Sequence, residues 1–152
     1  MQIGEYAKRL HPDGIEVTVH GHNAQLARTA ELMQHHTVTI FEAAFATGDL
    51  FIRADILRKF GQQLELIEVK AKSAPEGGKD GIVNKSSTAV RAPWMPYVQD
   101  LAFQTHVLRR AMPGLPIRSI LMLADTRAVA TADGLPRRFS IQRIDGQPKV
   151  YQ

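Results

Sequence analysis

Leu50-Phe51-Ile52-Arg53-Ala54-Asp55-Ile56-Leu57 is followed, across a break at Phe60-Gly61, by Leu64-Glu65-Leu66-Ile67-Glu68-Val69-Lys70-Ala71-Lys72. How these two runs are read decides the fold. Both are rich in β-branched and large apolar residues, both have strand length, and a glycine-containing turn separates them. A third run of the same character, residues 38–46, precedes them across Thr47-Gly48. Three such runs joined by tight turns predict a three-strand antiparallel meander.

On the amino-terminal side, residues 3–10 read as a short helix stopped by His11-Pro12-Asp13-Gly14, and Ile15, Val17 and Val19 alternate as in a short strand. Asn23 is placed to cap a helix reaching about residue 34, with Leu26, Ala30 and Met33 as its core-facing stripe. On the carboxyl-terminal side, residues 73–93 form a long flexible loop rich in Gly, Ser and Lys. Pro96 suits the first turn of a helix running to Met112, where Pro113-Gly114 ends it. Residues 117–123 read as a buried strand, and a strand–helix–strand crossover lays it parallel to its neighbour. Phe139 to Ile144 alternates between the turn signals Asp133-Gly134 and Asp145-Gly146, as in a peripheral hairpin. The expectation is one α/β domain over residues 1–152. Its abrupt end at Val150-Tyr151-Gln152 suggests a piece of a longer protein with further domains beyond it.

The 152 residues are 44% hydrophobic and 22% charged, enough apolar material for one ordinary core. No apolar stretch approaches the ~20 residues of a membrane span, and no secretory leader pattern opens the chain, so a cytoplasmic protein without membrane contact is expected. There are no cysteines, which excludes disulfides, thiolate zinc sites and a cysteine nucleophile. A formal charge of +4 is a modest excess that leaves a polyanionic partner open.

Side chains alternate across a strand, so Glu68 and Lys70 share a face. If the second turn centres on Phe60-Gly61, Asp55 lies opposite Leu66 and diagonal to Glu68. If the first centres on Thr47-Gly48, Glu42 lies opposite Arg53 and diagonal to Asp55. Glu42, Asp55, Glu68 and Lys70 then meet on one face, provided both loops have even length. Leu50, Ile52, Ala54 and Ile56 form the apolar alternate set. Clustered carboxylates repel one another, and a hard divalent cation such as Mg²⁺ or Mn²⁺ relieves that repulsion while activating water against a phosphate. Lys70 is placed to orient or deprotonate that water, or to stabilise the pentacovalent phosphate.

Arg53-Ala54-Asp55-Ile56-Leu57 followed by Leu66-Ile67-Glu68-Val69-Lys70 resembles the paired motifs of the PD-(D/E)xK nucleases. Ile40-Phe41-Glu42-Ala43-Ala44-Phe45 and Asp100-Leu101-Ala102-Phe103-Gln104 resemble, more narrowly, a RecB-like and CRISPR-exonuclease-like branch of bacterial proteins of unknown function. The resemblance spans roughly residues 3–125. It implies a restriction-endonuclease-like core and a metal-dependent hydrolase acting on single- or double-stranded DNA, with Asp55, Glu68 and Glu42 as metal ligands. It also implies a glutamine on the following helix. Gln104 fits through the stripe Tyr97, Leu101, Gln104, Leu108 and Ala111, and Gln99 is the alternative through its spacing to Phe103. Relatives add a helix-borne Glu or His ligand, for which Glu31, His35 and His36 are the unranked candidates.

Plainer readings compete. Strand charges usually form solvated cross-strand pairs, and Arg53 is first a partner for Glu42 and only second a substrate contact, with Lys72 and Gln99. A catalytically silent nucleic-acid-binding or structural module of a larger repair or defence protein is the rival function. His20 and His22, like the His35-His36 pair, lack the complement a zinc site needs and read as surface residues. The stretch ending in Asn84-Lys85-Ser86 lacks the glycine a phosphate loop requires.

Overall fold

A computed structural model describes residues 3–73, 81–84, 86 and 88–125, and the backbone of 140–144 and 147–151. The order is α1 (Ile3–Arg9), β1 (Ile15–Glu16), α2 (His22–Leu32), β2 (Thr37–Thr47), β3 (Leu50–Phe60), β4 (Gln63–Ser73), a 3₁₀ turn (Ala92–Trp94), α3 (Met95–Ala111), β5 (Ile117–Ala124), β6 (Ser140–Ile144) and β7 (Gln147–Tyr151). The first five strands form one mixed sheet in the order β1-β2-β3-β4-β5. β2, β3 and β4 are the antiparallel meander, and β5 joins β4 in parallel. The expected crossover strand therefore forms. It is an edge strand, however, and only half-buried. β6 and β7 pair as a separate antiparallel hairpin; the turn signals at Asp133-Gly134 and Asp145-Gly146 lie outside the described residues. No described helix is long and apolar enough to cross a membrane.

The sheet separates two apolar layers. Leu32 of α2, Met33 at its C-cap, and Val107 and Leu108 of α3 pack with Ile40, Leu57, Leu64 and Leu66 on one side. Ala7 of α1 packs with Phe41, Ile56 and Ile67 on the other. Gly14 is required where the chain leaves α1, because a Cβ there would lie 2.3 Å from the Phe41 ring. In α2 the buried residues are Gln25, Thr29 and Leu32, so the expected stripe is displaced and Ala30 is exposed. The Thr29 hydroxyl explains the rotation: it accepts the buried Ala44 N–H at 2.9 Å, a bond that a face centred on Ala30 would forfeit. The helix is capped by Gly21 rather than Asn23, with no side-chain bond.

Both hairpin loops fall one residue later than expected. Thr47 pairs with Leu50 and Phe60 with Gln63, which leaves Gly48-Asp49 and Gly61-Gln62 as the loops. Gly48 and Gly61 have φ of 54° and 58°, so each glycine takes the first loop position, where an L side chain is strained. The loops keep even length, so the register moves by two residues and facing sets are preserved. Glu42 consequently stands opposite Asp55, in the gap between the Phe41–Ile56 and Ala43–Ala54 pairs, and not opposite Arg53, which pairs with Ala44.

The second strand does not keep one apolar face. Ile40 and Leu57 belong to the larger core, Phe41 and Ile56 to the smaller, yet Ala43 and Ala54 return to the larger core one residue sooner than alternation allows. Both strands turn over at the Glu42–Asp55 position. Glu42 has φ 57°, the only positive φ at a non-glycine residue among those described. Ile56 therefore faces α1, and Leu50 is exposed. In an ordinary strand Gly is less stable than Ala by roughly 0.5–1 kcal/mol, whereas an L residue at positive φ costs about 1–2 kcal/mol. Glu42→Gly is thus expected to be about 1 kcal/mol more stable than Glu42→Ala in urea titrations; the ordinary order, Ala above Gly, would contradict the turnover.

Candidate active site

The β3–β4 ladder ends at Ile56–Ile67, one step before Asp55 and Glu68 would pair. Beyond it the strands no longer exchange backbone bonds, and the Asp55 carboxylate accepts the Val69 N–H at 2.7 Å. Asp55 is held in the seam between the strands. With Glu42, Val69 and, from α1, Glu5 and Lys8, it lines a cleft of about 520 Å³.

On the other side of the seam, β4 presents Glu68, Lys70 and Lys72 to α3. Glu68 is 4% exposed. One of its carboxylate oxygens meets Lys70 Nζ at 2.6 Å, and the other accepts from Gln104 Nε2 at 2.6 Å. Lys70 also reaches Asp100 at 2.7 Å. Lys72 donates to the Pro93 carbonyl and lies over the rings of Trp94 and Tyr97. Residues two apart on a strand meet residues three and four apart on a helix, so Glu68–Gln104, Lys70–Asp100 and Lys72–Tyr97 form successive polar rungs.

Burial raises the Glu68 carboxyl above its ordinary value, helped by the nearby Asp55 charge and opposed by the bonds from Lys70 and Gln104. Burial also works against the Lys70 charge, but hydrogen bonds to Asp100 and Glu68 outweigh it and hold the ammonium above its usual range. Asp100 is lowered by its bond to Lys70, against a smaller effect of burial. The buried Gln104 Oε1 has no protein partner among the described residues, and such an acceptor calls for a donor from water or ligand.

The expected site residues are thus divided. Glu68, Lys70 and Gln104 come together between β4 and α3, and Asp55 stands near Glu68 in the gap to β3, but the set does not share one strand face: Glu68 and Lys70 point to α3, while Asp55 and Glu42 open on the α1 side. Glu42 is turned to Arg53 at 2.8 Å, the partner foreseen for it. No three His, Asp or Glu side chains among the described residues stand as a ready ion cage. Gln99 is exposed, whereas Gln104 is buried against Glu68. Glu31 pairs with Arg28 on the outside of α2. His35 and His36 lie by Phe60 and Gly61, about 17 Å along β3 from Asp55 at ~3.3 Å per residue. None of these three adds to the seam. In the loop, Val83 bridges Val90, and Asn84 binds Thr88 and Ala89.

Asp100 was not foreseen as a site residue. Its signal was its place one helical turn before Gln104, on the face that meets Lys70. Compared with known protein families, curated proteins and solved structures, the chain has no match.

Because the Asp100 pKa is lowered in the folded state, its contribution to stability is present above the ordinary carboxyl range and is lost as pH falls through the lowered value. Acid denaturation followed by circular dichroism should therefore show a shallower loss of stability below about pH 4 in Asp100→Asn than in the parent. Identical acid limbs would mean that the pair contributes nothing.

Proposed function

We propose that the chain is a metal-dependent nuclease of the PD-(D/E)xK type, with a restriction-endonuclease-like core, that hydrolyses phosphodiester bonds in DNA. The observation that carries this reading is the seam itself. Asp55 is anchored on the Val69 N–H beside Glu68, with Lys70 on the same strand and Gln104 bound to Glu68.

The donor set fits Mg²⁺ or Mn²⁺. It is made of oxygens, and the burial that disfavours the Glu68 charge is a penalty that a cation offsets. The free Gln104 Oε1 suits a coordinated or attacking water. Asp55 and Glu68 would hold the ion, with Glu42 joining directly or through water once released from Arg53. When bound, the ion supplies Lewis-acid polarisation of the phosphoryl oxygen and a more acidic water.

The chain's own residues supply the rest. Gln104 Nε2 fixes one Glu68 oxygen, and Gln104 Oε1 accepts a hydrogen bond from water. Lys70, kept charged by its carboxylate partners, orients the attacking water and neutralises charge on the phosphate; its raised pKa suits these roles better than proton abstraction. The water oxygen bonds to phosphorus and gives up a proton to solvent as the ester P–O bond breaks, and the leaving alkoxide takes a proton from solvent. Arg53 is a candidate contact for flanking phosphates.

Single- and double-stranded DNA incubated with Mg²⁺ or Mn²⁺ should be nicked or resected. Asp55→Ala and Lys70→Ala should each lower the rate on the order of a hundredfold or more. Absence of cleavage on every substrate, or equal cleavage by the variants, would remove the nuclease reading.

A further inference from the structure

The third rung of the β4–α3 seam has no part in the chemistry just described. Lys72 lies 4.5 Å from the Trp94 ring centroid and 5.0 Å from that of Tyr97, and donates to Pro93 O at 3.1 Å. The two rings are tilted at 58° with centroids 6.1 Å apart. Trp94 is buried at 5% exposure, while Tyr97 and Lys72 are half-buried and so keep surface open to solvent. Lysine is ordinarily a mobile charge on a flexible stem; here two rings and a carbonyl fix it.

Lys72 follows Lys70 by two residues on one strand, and although the β4–β5 register shifts between Lys70 and Ser73, both side chains meet α3, so their stems leave the backbone no more than about 7 Å apart. That is close to the spacing of consecutive phosphates along an extended single strand. A base attached beside such a phosphate needs a π surface more than a hydrogen-bonding edge, because every base has one. We propose that Lys72 and Tyr97 form a nucleotide subsite beside the seam, Lys72 taking the phosphate next to the one held at Lys70 and Tyr97 stacking its base. Trp94 backs both from the core. The subsite favours single-stranded DNA, since a duplex keeps its bases stacked on one another. It rests on the nuclease reading only for the identity of the neighbouring phosphate.

Trp94 is the sole tryptophan, so its emission reports on the subsite directly. A short oligodeoxythymidine titrated in EDTA, which prevents cleavage, should change that emission and bind more tightly than a duplex of equal length. Tyr97→Ala should weaken binding roughly tenfold, within the range of one lost base–aromatic stack, and Tyr97→Phe should restore it. Lys72→Ala should reduce the salt dependence by about 0.7 in log–log slope, the loss of one single-strand phosphate contact. Circular dichroism checks that the variants fold. Unchanged affinity in Tyr97→Ala, or equal affinity for duplex and single strand, would overturn the subsite. Cleavage assayed separately with Mg²⁺ separates the two readings. Wild-type cleavage with a silent Tyr97→Ala removes the subsite alone, and Tyr97-dependent binding without any cleavage removes the nuclease alone.

Discussion

The Val69 N–H is a half-buried donor without a strand partner where β3 and β4 part, and the Asp55 carboxylate takes the place of that partner. Much of the molecule follows from this substitution. A backbone donor left unpaired in the sheet would cost about 1–3 kcal/mol, so the strands can separate only because a side chain completes the bond. Separation then opens a gap inside the sheet, between β3 and β4. The same position is where β2 and β3 turn over, with Glu42 at positive φ opposite Asp55. A ladder break and a face inversion at one point place two carboxylates where regular strands would have placed core side chains.

The seam between β4 and α3 has the opposite character. It is a row of side-chain pairs that hold one another closely, with Lys70 between two carboxylates and Glu68 saturated by Lys70 and Gln104. Such half-buried networks are poor sources of net stability, because desolvation consumes most of the Coulomb gain. Leu66, Val107 and Leu108, directly below, supply the apolar contacts that fix β4 against α3. The polar rungs are thus carried by the core beneath them rather than supporting it. A site built this way is orientationally rigid, and its charges can exchange partners when a cation or phosphate enters.

The local chemistry of the sequence determined the existence and kind of most elements. β-Branched runs interrupted by glycine made the meander, Pro96 and Pro113-Gly114 bounded α3, and the crossover rule set β5 parallel to β4. The same reading brought Glu68, Lys70 and Gln104 together, because alternation along β4 and helical spacing along α3 are local; it put Asp55 and Glu42 on that face too, whereas the turnover opens them on the α1 side, and it set both hairpins two residues out of register. Gly48 and Gly61 explain that error: each takes the first loop position, where its positive φ costs nothing, so both loops moved by one residue.

Only tertiary structure decided what alternation cannot express. The turnover at Glu42 depends on a positive φ that alternation cannot signal, and it sends Ile56 to α1 while Ala54 faces α2 and α3. The displaced face of α2 depends on one hydroxyl, that of Thr29, finding a backbone N–H far along the chain. Asp100 gained its place from α3 docking over Lys70, and Lys72 gained aromatic neighbours from a segment some twenty residues later in the chain. Sequence periodicity records which side chains can share a face, whereas the partners of a buried polar group are settled only when distant elements close around it.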